Sequence, residues 1–168
     1  VVEEGARRAS ARGLMSIQDA GPPRRVETAA LRVFDVVSPN SNELEALTGM
    51  KVSDVVSAAE AAETLVCGGV RRVVVKMGEK GALLVDGGGA RHFSAFRVRA
   101  LDTTGAGDAF TAGLATALGE GMEMGQAVRF ACACGAAAVT VLGAQPSMPD
   151  RAGVEELLAS QEIEVRAL

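Results

Sequence analysis

Two rhythms of apolar and polar positions run along this chain, and the switches between them outline its elements. Residues 1–12 (VVEEGARRASAR) carry a helical spacing that Gly13 ends. Leu14 to Ile17 is an apolar run of strand length, and the following DAGPP (19–23) excludes both helix and central strand. Residues 24–32 read as a short helix and Val33 to Val37 as a strand, broken by Ser38-Pro39. Asn40 to Thr48 has acids in its first turn and Gly49 as a stop, the arrangement helix termini favour. A second long helix covers 53–67. Arg72 to Met77 is a β-branched strand, Gly78 to Gly81 a turn, Ala82 to Val85 a returning strand, Asp86 to Gly89 a hairpin turn and His92 to Arg99 a further strand. Helices follow over 107–119, 126–141 and 151–160, with loops at Gly121–Gly125 and 143–150. Helices and strands alternate through the first half, which predicts a mostly parallel sheet with helices on both faces, folded as one α/β unit.

Composition narrows this picture. With 48% hydrophobic and 23% charged residues, no Trp, no Tyr and 20 Gly, the 168 residues suit one ordinary α/β domain. The formal net charge of −4 argues against a general nucleic-acid or anionic-membrane partner, so any phosphate ligand needs a local patch. No apolar run reaches the length of a membrane span, and no signal peptide opens the chain. Cys67, Cys132 and Cys134 are odd in number and lack metal-ligand spacing. They are expected to be buried small hydrophobes in a reducing, cytoplasmic setting. His92, the only histidine, is expected at a surface or edge, without a catalytic role. VVEEGARRASARG starts inside a running helical pattern, with neither Met nor cap, and reads as the middle of something longer.

The chemistry concentrates at LDTTGAGDAFTAG (101–113), where Gly105, Ala106 and Gly107 stand at a loop-to-helix junction. Missing or minimal side chains let backbone N–H groups approach a ligand, and the first N–H groups of a helix have no internal partner. Such a terminus binds anions. Asp108, in the first helical turn, is a carboxylate that can accept a proton. An anion hole beside a base suits phosphoryl transfer, in which the amides hold the moving group while the carboxylate takes the proton of the attacking hydroxyl. Spacing alone leaves a second reading open, in which Asp108 caps the helix and the glycines turn the chain. There is no G-x-x-x-x-G-K-[ST] loop, and GAGDAF lacks the third glycine of a dinucleotide fingerprint.

Asp102-Thr-Thr-Gly-Ala-Gly-Asp108-Ala-Phe-Thr-Ala-Gly-Leu resembles the C-terminal signature of the ribokinase-like (PfkB) carbohydrate kinases. Three further stretches resemble the family at compatible spacing: Ser38-Pro-Asn40-Ser-Asn-Glu43 its N-x-x-E motif, Val75 to Ala82 its nucleotide turn, and Ala136 to Pro149 the C-terminal stretch of its ribokinase branch. The resemblance extends over essentially residues 1–160. The resemblance implies a three-layer α/β/α fold whose N-terminal strands and lid are absent here. It implies that Asp108 is the general base and that the amides of Gly105, Ala106 and Gly107 form the anion hole. Asn40 and Glu43 would act near the phosphates of ATP and a hydrated Mg²⁺. Lys76, Met77, Gly78, Glu79, Lys80 and Gly81 would line the nucleotide, with Gly107 and Cys132 also beside it. Cys132 departs from the family's Asn at the adenine. A K⁺ ion would be held mostly by carbonyls among Asp102, Thr104, Ala138, Val141, Gly143 and Ser147. The residues themselves also allow Glu43 to be a dipole-complementing acid and Lys76–Gly81 a simple hairpin turn.

The family holds its sugar mainly through an N-terminal half, whose motifs do not occur here. The resemblance therefore implies that residues 1–168 are the C-terminal portion of a carbohydrate kinase domain, with an open sheet edge or uncovered apolar face. Two functions follow as expectations. One is a fragment of an ATP-dependent sugar kinase, cytoplasmic and possible as a homodimer when full-length. The other is a non-catalytic kinase-like module serving as a structural or regulatory partner.

Overall fold

A computed structural model describes residues 2–168. Its elements in chain order are α1 (Val2–Ser10), β1 (Ile17–Asp19), α2 (Thr28–Leu31), β2 (Val36–Ser38), α3 (Ser41–Thr48), α4 (Val55–Cys67), β3 (Arg72–Lys76), β4 (Ala82–Asp86), β5 (Gly89–Phe93), α5 (Ala106–Gly119), α6 (Met124–Ala138), α7 (Arg151–Ser160) and β6 (Val165–Ala167). One open sheet has the order β1-β2-β3-β4-β5-β6. β1 and β2 are parallel, with Ile17 opposite Val36 and Asp19 opposite Ser38. β2 and β3 are also parallel, with Val37 opposite Val73. Connections as short as 77–81 and 87–88 cannot make a crossover, so β3–β4 and β4–β5 are antiparallel and the sheet is mixed.

The chain divides into two compact units. The first comprises residues up to Met77 with Leu83–His92 and Ala167–Leu168; the second comprises Gly78–Ala82 and Phe93–Arg166. In the first, Val37, Val73, Val75, Leu83 and Val85 form a buried sheet layer with Leu44 and Leu47 of α3 and the Ala-rich face Ala58, Ala59, Ala61, Ala62 and Leu65 of α4. In the second, α5 and α6 pack closely, and a Cβ on Gly113 would lie 2.5 Å from Cys134 Sγ.

Several predicted boundaries move for local reasons. The strand expected at 14–17 begins at Ile17, because the Leu14 N–H closes the end of α1 by donating to the Ala9 carbonyl. Ser16 then donates its N–H and hydroxyl to Asp35 Oδ2, which also delays the strand expected from Val33 until Val36. The helix expected over 24–32 shortens to 28–31. The strand expected over 92–99 lies at 89–93. Beyond it, the Gln161 side chain takes the place of a neighbouring strand, accepting the Arg97 N–H at 2.9 Å and donating to the Arg97 carbonyl at 3.1 Å. The helix expected over 126–141 runs from 124 to 138. Its exit is tied down by the Val139 carbonyl, which accepts the N–H groups of Leu101 and Asp102. β6 was not expected. Its residues are all exposed, and burial is what hydrophobic patterning detects.

Candidate active site

In the first unit the C-terminal ends of the parallel strands carry a cluster of mutually bonded polar groups, at the place where open α/β sheets receive ligands. Asn40 caps α3. Its Oδ1 accepts the Glu43 N–H at 3.0 Å, and Glu43 Oε2 accepts the Asn40 N–H at 2.6 Å. This reciprocal capping box buries Glu43 to 6% exposure, so the structural role read as an alternative for that acid is filled. Gly49 ends the helix in the left-handed region at φ 74°. The Asn40 and Lys76 backbones form a parallel bridge, in which the Lys76 N–H donates to the Pro39 carbonyl.

Lys76 Nζ reaches across to β1, donating to both carboxylate oxygens of Asp19 at 2.8 and 2.9 Å. Ser38, in register with Asp19, is fully buried, and its Oγ has no hydrogen-bond partner. A polar group in that state costs about 1–3 kcal/mol. A Cβ built on Gly21 would lie 3.0 Å from Glu43 Oε1, so the loop leaving β1 runs directly over that carboxylate. No group of three or more His, Cys, Asp or Glu among the described residues could hold a metal alone. One carboxylate, Glu43, still fits Mg²⁺, which keeps most of its waters and uses substrate phosphates as ligands.

In the second unit, Gly105 is the N-cap of α5 at φ 79°, with no side-chain cap. A side chain there would meet Met148 Cε at 2.9 Å and Ala144 Cα at 3.3 Å. The Ala106 N–H donates to the Thr103 carbonyl at 3.2 Å, so that member of the expected anion hole is already engaged. Gly105 and Gly107 N–H groups have no backbone acceptor outside the helix itself among the described residues. Asp108 is exposed in the first turn of α5, and its carboxylate has no hydrogen bond or ion pair among the described residues.

Asp102 ties two loops together. Its Oδ1 accepts the Thr104 hydroxyl at 2.7 Å and the Thr104 N–H at 2.9 Å, while Oδ2 accepts the Gly143 N–H at 2.8 Å. The Thr104 hydroxyl, then the Gly143 and Thr104 amides, hold this carboxyl below its usual range. Of the carbonyls expected to hold K⁺, that of Ala138 accepts the Val141 N–H. Those of Asp102, Thr104, Val141, Gly143 and Ser147 accept no backbone N–H among the described residues. A set of uncommitted carbonyls fits a weakly hydrated monovalent cation. Ser147 is buried, its hydroxyl donating to the Ala144 carbonyl at 2.7 Å.

The turn at 78–80 is one 3₁₀ turn, with Glu79 and Lys80 exposed and Met77 buried in the core. Gly81 was expected to let the backbone approach a nucleotide. Its constraint is internal: at φ 88°, an added Cβ would lie 2.0 Å from the Phe93 carbonyl oxygen. Cys132 is buried in α6, and desolvation pushes its thiol up to about 12; burial raises Cys134 to about 11. Both remain neutral thiols at physiological pH. Cys67 is exposed, contrary to expectation, because it occupies the last turn of α4 beyond the Ala-rich face. His92 is also corrected: it is buried on β5 rather than at the surface. Sequence reasoning missed Asp19 and Ser38. An acid at the end of an apolar run, directly before Gly-Pro-Pro, was the available signal for the first.

Residues 1–151 match the pfkB family carbohydrate kinase profile, and the chain belongs to that family. It is 37% identical over 157 residues to a ribokinase of Haemophilus influenzae, covering 94% of this chain and 51% of the relative. In structure it resembles an Arabidopsis thaliana ribokinase complexed with ribose and ATP (TM-score 0.87, 37% identity), covering 94% of this chain and 51% of the other. It also resembles Escherichia coli phosphofructokinase-2 in complex with potassium (TM-score 0.80, 28% identity), covering 95% and 51%. The chain thus spans about half the length of the relatives it matches. No helix among the described residues is long and apolar enough to cross a membrane.

Proposed function

We propose that this chain carries the phosphoryl-handling portion of an ATP-dependent sugar kinase of the ribokinase type. The observation that carries this reading is the α5 terminus, where an uncapped glycine junction meets an exposed, unpartnered Asp108 within one turn. In the reaction, the Asp108 carboxylate takes the proton of the attacking sugar hydroxyl. The Gly105 and Gly107 amides stabilise the charge on the transferred γ-phosphoryl group, aided by the dipole of α5. Glu43 would hold hydrated Mg²⁺, which supplies charge neutralisation on the polyphosphate when bound. Carbonyls from 102–104 and 141–147 would hold K⁺, with Asp102 keeping their two loops joined. Cys132 would offer a neutral, apolar wall to the base of the nucleotide.

The test is calorimetric titration of the chain with MgATP in KCl, followed by ribose phosphorylation in the protein that carries it. Binding of MgATP, with turnover lost in Asp108→Asn while binding persists, supports the reading. A folded chain that takes up no MgATP would refute it and favour a non-catalytic kinase-like module.

A further inference from the structure

The strand ends of the first unit hold a charge arrangement that the roles above leave unexplained. Lys76 is the last residue of β3, and its side chain is 11% exposed. A lysine ammonium has three N–H donors. Two are spent on the two oxygens of Asp19, which fixes the direction of the third. The Asn40–Glu43 capping box adjoins it through the Asn40–Lys76 bridge, and Glu43 adds a buried negative charge under the loop that leaves β1. The buried, unpartnered Ser38 hydroxyl, in register with Asp19, independently marks this strand end as completed by a group the chain does not supply.

We infer that Asp19 is a positioning residue: it clamps the Lys76 ammonium at the ends of β1 and β3 so that its remaining N–H meets a nonbridging oxygen of a nucleotide polyphosphate. Neutralising Asp19 is the second effect of the same contact. The ligand contact belongs to Lys76, and Asp19 acts through it. This rests on the kinase reading of the chain and deepens it: the family resemblance implies Lys76 beside the nucleotide, and Asp19 is the residue that reading does not use.

The experiment titrates the 168-residue chain separately with MgATP, inorganic tripolyphosphate and adenosine, as wild type, Asp19→Asn and Lys76→Met. Both substitutions are expected to weaken MgATP and tripolyphosphate by roughly tenfold, the loss of one charge-assisted hydrogen bond. Adenosine affinity should stay within about twofold, a selectivity that general damage to the fold would not produce. Wild-type binding of MgATP with unchanged tripolyphosphate affinity in Asp19→Asn would overturn the inference and leave the kinase reading intact. An equal loss of adenosine affinity would also overturn it. If Asp19→Asn does not fold, Lys76→Met decides on the same criterion. Failure of the wild type to bind MgATP would overturn both readings together.

Discussion

The N-termini of α3 and α5 are two solutions to one problem, the unpaired N–H groups at the start of a helix. At α3 the chain satisfies them itself: Asn40 and Glu43 exchange hydrogen bonds, and Asn40 is bridged to Lys76 at the end of β3. At α5 it does not. Gly105 offers no side chain, only Ala106 bonds back into the loop, and Asp108 points into solvent. A glycine at this cap forgoes only about a few tenths of a kcal/mol relative to a polar residue. The contrast separates a terminus that closes on itself from one whose first N–H groups the chain leaves largely open.

The comparison can be broken first at Asp108. Asp108→Asn should lower sugar-phosphorylating turnover by roughly 10²–10⁴-fold, the span of a general base, with no change in melting temperature. A combined fall in both would give this acid a structural role in the helix terminus instead. Second, Gly105→Ala should destabilise the chain by about 1–2 kcal/mol in urea unfolding, because φ 79° penalises any Cβ. The Met148 tip can move aside, so the conformational penalty dominates. Third, Asn40→Ala should cost about 1 kcal/mol by removing one arm of the capping box. A loss no larger than at an exposed surface site would show that the α3 terminus is not held by its cap.

The smallest effect sharpens the α5 side. Asp102 has a lowered pKa in the folded chain, so the folded state binds its proton less readily than the unfolded state. Its contribution is complete above the unfolded value of about 4 and fades as pH falls below that. Protection of the Gly143 amide against hydrogen exchange, relative to its intrinsic rate, should fall in that acid range in wild type. Asp102→Asn should show low protection at all pH values. An amide insensitive to acid would remove this carboxylate as the tie between the two loops.

What was legible in the sequence was local. The capping box spans four residues, Gly49 is a single stop signal, and α7 occupies the predicted 151–160 because Asp150 caps it through the Gly153 N–H. The glycine junction at Asp108 was readable for the same reason, as was its family resemblance. The illegible parts are contacts between distant positions. Lys76 meets Asp19 across 57 residues, and Gly143 meets Asp102 across 41. Neither pair leaves a periodic trace, so Asp19 passed as a loop residue. The late starts of β1 and β2 share this cause, since the Ser16–Asp35 contact that delays them joins two segments. His92 and Cys67 were misplaced because residue type alone does not say which end of an element is covered.

Gly113 and Cys134 carry a consequence of another kind. Because the two positions touch so closely, they can change only together. A Cβ at 113 would meet Cys134 Sγ at 2.5 Å and Cys134 Cβ at 2.9 Å, so even an alanine at 134 relieves only part of the clash and α5 and α6 must also move apart to admit it.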